Sequence, residues 1–94
     1  MGIIKARPTI VNVDITLANT EYSYTLPAKT RKFTIKLRDP GYPLKLAIVE
    51  SGSGTTYVNI PQGGTHMEDD IKVPLTLYFQ SITGSMVAEI ISWV

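Results

Sequence analysis

Apolar residues return at nearly every second position through most of this chain, a spacing that a half-buried strand satisfies and a helix does not. Val11, Val13, Ile15 and Leu17 fall on one face of such a strand, with Asn12, Asp14 and Thr16 on the other. Tyr22, Tyr24 and Leu26 oppose Glu21, Ser23 and Thr25, and Phe33, Ile35 and Leu37 oppose Lys32, Thr34, Lys36 and Arg38. Leu44, Leu46 and Ile48 alternate with Lys45 and Ala47. Further strands are predicted around Val58 and Ile60, more weakly over residues 65–69, through Leu75, Leu77 and Phe79, and over residues 86–94. The stretches ANT, LPAKT, DPGYP, SGSGT, PQGG and TGS fall between these runs and carry the residues that turns favour. About eight short strands at this spacing predict a single all-β domain, an antiparallel β-sandwich that is jelly-roll-like or Ig-like.

With 94 residues the chain is one domain long. We expect an N-terminal arm or edge strand over residues 1–8 and the sandwich over residues 9–94. The absence of cysteine removes disulfides, zinc thiolates and thiol nucleophiles together, so the core must hold by packing. Nine basic against eight acidic residues leave a net charge of +1, without the basic excess of a nucleic-acid binder. No apolar run approaches the roughly 18 residues that a membrane helix needs. The start, MGIIKARPTIV, places Lys5 and Arg7 inside what would be the apolar part of a leader, so synthesis and folding in the cytoplasm are expected, with neither membrane nor nucleic acid as partner.

Two segments depart from clean alternation. MVAEIISWV is apolar on both parities, with Val87, Ile91 and Trp93 on one side and Met86, Ala88, Ile90 and Val94 on the other. That pattern fits a central strand, a bulge between Ile90 and Ile91, or a strand with one face against another subunit. GIIKARP sets Ile3 and Ile4 beside Lys5, Arg7 and Pro8, as a first edge strand or as an arm reaching onto a neighbour. Residues 28–49 hold six of the nine basic side chains. Lys32, Lys36 and Arg38, extended by Lys29, Arg31 and Lys45, form a stripe on one strand face, because alternate side chains point the same way. Phe33 points to the opposite face, so no aromatic stands in the stripe to stack a base. The stripe is therefore a solvated outer face or a docking surface for an acidic protein. The candidate partner-binding residues are Ile3, Ile4, Arg7, Lys32, Lys36 and Arg38.

No motif specifies a reaction. THMEDD holds the only histidine, His66, followed by consecutive acids without the glycine-centred loop of a calcium site. SGSGTTY has the glycines of a phosphate loop but neither its Lys-Ser/Thr ending nor a following helix, and it reads as a hairpin turn. Tyr42, Tyr57, Tyr78 and Trp93 would suit a sugar-stacking platform if they shared one exposed face. We assign no catalytic residue, no metal and no cofactor.

The run from LANTEYSYTLPAKTRKFTIKLRDPGYPLKLAIVESGSGTTYVNIPQGG to LTLYFQSITGSMVAEIISWV resembles small structural proteins encoded among the virion genes of tailed bacteriophages. The resemblance covers residues 17–94 and rests on the Asn-Thr-Glu-Tyr opening, Leu-Pro before a charged strand, the Gly-Thr-Thr-Tyr hairpin, LYFQS and the terminal Trp. It implies a β-sandwich capsid decoration protein, a non-enzymatic viral protein that binds the phage head shell by protein–protein interaction and resides in the virion. A neck or tail accessory protein is the alternative in that setting; from other classes, a carbohydrate-binding module would need exposed aromatics and a small hydrolase a polar pocket containing His66 and an acid. The expected partners are capsid or other virion proteins, with homo-oligomerisation left open.

Overall fold

The computed structural model describes residues 8–94, and Ile3, Ile4 and Arg7 lie outside them. Among the described residues there is no helix, and eight strands follow one another: β1 (Pro8–Ile15), β2 (Tyr22–Thr25), β3 (Lys32–Leu37), β4 (Leu44–Ala47), β5 (Val58–Ile60), β6 (His66–Glu68), β7 (Thr76–Ser81) and β8 (Met86–Trp93). Four antiparallel pairings join the first half of the chain to the second in mirror order: β1 with β8, β2 with β7, β3 with β6 and β4 with β5. Pairing of β8 with β3 and of β7 with β4 then closes two four-stranded sheets, β1-β8-β3-β6 and β2-β7-β4-β5. A long hairpin wrapped on itself in this way is a jelly roll. The immunoglobulin alternative would need a different strand order.

The alternation read from the sequence is the alternation of burial. Phe33, Ile35 and Leu37 of β3 and Ala88 and Ile90 of β8 pack inward against Leu44 and Leu46 of β4, Leu77 and Phe79 of β7 and Ile60 of β5. Burying each large apolar side chain contributes about 1.5–3 kcal/mol. The register of β8 with both neighbours runs unbroken, so there is no bulge at Ile90 and Ile91. Its second apolar parity belongs to a central strand, held between β1 and β3, and faces outward.

β1 is described from Pro8, which is in register with Trp93, and proline is tolerated at such a place on a sheet edge. One expectation needs correction. Leu17 and Ile48 continue the apolar faces of their strand patterns, but each lies beyond the end of its strand and is exposed, at 60% and 62%. SGSGT lies in the hairpin connection between the antiparallel neighbours β4 and β5, as expected, and that connection is a long loop that folds back over its own sheet.

The turns also use glycine differently from what the punctuation implies. Gly63 alone among the described glycines has a left-handed φ, +75°. Gly84 is required by space, since a Cβ there would stand 2.7 Å from the Thr16 carbonyl oxygen and 3.3 Å from the Ala18 nitrogen. The β7–β8 turn thereby lies against the β1–β2 loop, and the Ser85 N–H donates to Thr16 O at 3.2 Å.

Candidate docking surface

The two outer faces of the sandwich differ. On the β2-β7-β4-β5 sheet the outward side chains include Ser23, Thr25, Lys45, Asn59, Thr76, Tyr78 and Gln80, all polar, and the Thr25 and Thr76 hydroxyls hydrogen-bond at 2.9 Å. The β4–β5 loop also covers part of this face. Glu21 is its anchor. The Ser51 N–H donates to Glu21 Oε2 at 2.8 Å, and the Ser53 N–H and hydroxyl both donate to Oε1, the former at 3.0 Å. Ser53 Oγ also lies 3.0 Å from the side-chain amide oxygen of Gln80. Ser53 and the outward Ala47 are buried as a result. The Ser53 hydroxyl, and then the Ser53 and Ser51 backbone donors, hold the Glu21 carboxyl below the usual carboxylate range, against an opposing effect of burial.

The outer face of β1-β8-β3-β6 carries an apolar row instead. Ile10, Ile91, Thr34 and Met67 stand side by side across all four strands. Ile10 is 67% exposed and Met67 53%. On one side the row is flanked by Pro8, Trp93 and Lys32, with the Lys32 ammonium 4.9 Å from the Trp93 ring centroid. On the other side stand Asn12, Glu89 and Lys36. Glu89 accepts from Arg38 Nε at 2.9 Å and lies 3.6 Å from Lys36 Nζ. The Arg38 hydrogen bond, aided by the charges of Arg38 and Lys36, holds the Glu89 carboxyl below its ordinary range.

Lys32, Lys36 and Arg38 therefore do share the outer face, as their parity required. They are not a free basic stripe. Two share one carboxylate and the third lies on an indole, which leaves an apolar row bordered by a net positive charge. Apolar side chains lined up on an exposed sheet face mark interaction surfaces more often than singly scattered ones do, and a partly exposed Trp with cationic neighbours is a frequent interface anchor. The candidate sugar platform is divided, because Tyr78 lies on the polar outer face and Trp93 on the opposite one.

A second feature opens on the flank between edge strands β5 and β6. Here a cleft of about 390 Å³ has Phe33 and Leu46 on its walls, with Val58, Ile71 and Leu75 around them. Val58 is in register with buried Leu46, yet it is 50% exposed because it faces this opening. Across from it, His66 and Glu68 point to the inner side of β6, in register with Ile35 and Phe33. His66 Nε2 is 3.0 Å from Glu68 Oε2, and the imidazole lies 6.4 Å from the Phe33 ring, centroid to centroid. Inward-pointing polar side chains on a short edge strand also discourage indiscriminate strand pairing. Among the described residues no group of three or more His, Cys, Asp or Glu is placed to hold a metal ion.

Sequence reasoning missed Glu21 and the cleft. Glu21 read as one polar residue of an alternating strand, and its two serines lie 30 and 32 residues away. The cleft depends on how β5 faces β6 across two sheets, which no local pattern carries. No known protein family, curated protein or solved structure matches the chain.

Proposed function

We propose that this chain is a non-enzymatic structural protein of a tailed-phage virion, a decoration protein that docks on the head shell through the outer face of its β1-β8-β3-β6 sheet. The observation that carries the reading is the difference between the two outer faces. One is polar and covered in part by its own loop, while the other presents Ile10, Ile91 and Met67 in one row with Trp93 beside it. The resemblance of residues 17–94 to virion structural proteins supplies the setting. In that setting the action is mechanical. A subunit that binds the assembled shell more tightly than its separated parts shifts the equilibrium toward assembly, by an amount set by its concentration relative to its dissociation constant. The charges around the row, positive in sum, act at the rim, affecting encounter more than residence.

The test is to locate the chain in purified particles by electron microscopy, for the wild type and for an Ile10→Lys/Ile91→Lys variant whose fold is verified by circular dichroism. Density on the head shell, lost in the variant, is the expected result. Density at the neck or tail would instead favour an accessory protein there, and absence from particles would overturn the reading.

A further inference from the structure

The cleft on the β5–β6 flank has apolar walls and an acidic border. Glu68 lines the cleft, Asp69 and Asp70 border the adjoining depression beside Arg31 and Lys32, and Ile71 returns to the cleft wall. Both aspartates are exposed, and among the described residues neither takes part in a salt bridge. An occupant suited to this site is a short extended peptide with large aliphatic side chains followed closely by cations.

The chain itself contains one such peptide. Residues 1–7, MGIIKAR, place Ile3 and Ile4 two residues and one residue ahead of a Lys-x-Arg pair, Lys5 and Arg7. We propose that the cleft receives this N-terminal segment from a second copy of the chain, with Ile3 and Ile4 between β5 and β6 and with Lys5 and Arg7 over Asp69 and Asp70. Among the described strands β5 and β6 each leave one edge unpaired, and such an edge can accept an extended segment. Pro8 biases the residue before it toward an extended conformation, which suits a segment that leaves one sandwich to reach another.

Reach decides between a second copy and the chain's own cleft. Pro8 stands at the far edge of its sheet, with β8 and β3 between it and β6. Three inter-strand steps amount to about 14 Å before any turn into the space between the sheets. Ile4 precedes Pro8 by four residues, which fully extended span about 13–14 Å. The segment is thus spent in crossing the sheet edge, with no length left to turn the corner and bury both isoleucines. A neighbouring copy carries no such restriction.

The experiment uses full-length chains in sedimentation over a range of concentrations. The wild type is expected to associate reversibly. Ile3→Ser/Ile4→Ser, which removes the apolar segment, and Val58→Arg, which blocks the cleft from an exposed edge position, should each weaken self-association by about tenfold or more. An equimolar mixture of the two variants should recover association, because one supplies an intact cleft and the other an intact segment. A further variant at exposed positions, Asp69→Lys/Asp70→Asn, should weaken association and flatten its salt dependence; asparagine suits position 70, where φ is +56°. Circular dichroism and melting of each variant establish that it is folded. A wild type that stays monomeric throughout, variants that associate like the wild type, or a mixture that does not recover would each overturn the proposal. Self-association is read without particles, so failure of this inference and failure of the shell-docking reading are separately visible.

Discussion

Replacing Glu21 by Gln tests how the β4–β5 loop is held over the polar sheet. The carboxylate accepts three hydrogen bonds, from Ser51 N–H, Ser53 N–H and the Ser53 hydroxyl. Glutamine can keep the two at Oε1 as weaker neutral bonds, but at the other position its NH₂ would face the Ser51 N–H, donor against donor. Loss of one charge-assisted bond and weakening of two should cost about 1–3 kcal/mol near neutral pH. For a domain of this size that lowers Tm by about 5–20 °C. The pH dependence carries the sharper test. The folded-state pKa of Glu21 is lowered, chiefly by the Ser53 hydroxyl. Its contribution to stability is therefore fully present above the unfolded value of about 4.3, and it is lost as pH falls through the lower folded value. Glu89, whose pKa is also lowered, is common to both proteins and cancels in the difference. Urea unfolding of wild type and Glu21→Gln at a series of pH values should show a gap that is full near pH 7 and narrows as pH falls below the unfolded value of about 4.3. A gap that stays constant across the series, or a variant as stable as the wild type at neutral pH, would refute this account of the loop.

Phe79→Ala removes a fully buried ring at the centre of the β2-β7-β4-β5 sheet and should cost about 3–5 kcal/mol in urea unfolding. Gly84→Ala forces a methyl group against the Thr16 carbonyl oxygen and the Ala18 nitrogen, both backbone atoms, and should destabilise by about 1–3 kcal/mol in the same assay. Lys32→Ser/Lys36→Ser/Arg38→Ser should leave the circular dichroism spectrum unchanged while slowing association with the particle and flattening its salt dependence; unchanged association at low salt would show that these side chains only solvate the face.

The strands themselves were legible because burial on one face imprints a local period of two, and β3 and β7 show it without exception. The outward direction of Lys32, Lys36 and Arg38 followed from the same parity. Pairing was not legible, since the register of Pro8 with Trp93 is settled by closing the whole sandwich and leaves no mark near either residue. Leu17 and Ile48 misled for a related reason. Each continues the alternation of its strand by one step, but hydrogen bonding to the neighbouring strand has already stopped. The apolar outer face was half legible: the double apolarity of MVAEIISWV pointed to a strand unlike the others, whereas the alignment of Ile91 with Ile10, Thr34 and Met67 needed three separate registers.

The mirror pairing of the strands bears on how the protein comes into being. Among the described strands β1 leaves the ribosome first, and its one neighbour among them in the sheet, β8, comes last. Until residues 86–93 emerge, β1 has no strand beside it, and Val11, Val13 and Ile15 have only part of their core. Folding must then wait for residues 86–93 and is dominated by contacts distant in sequence, which places it in the slow millisecond-to-second range typical of such β topologies. During that interval the nascent chain carries an unpaired apolar strand, and the rate of synthesis relative to the capacity of chaperones becomes a determinant of yield.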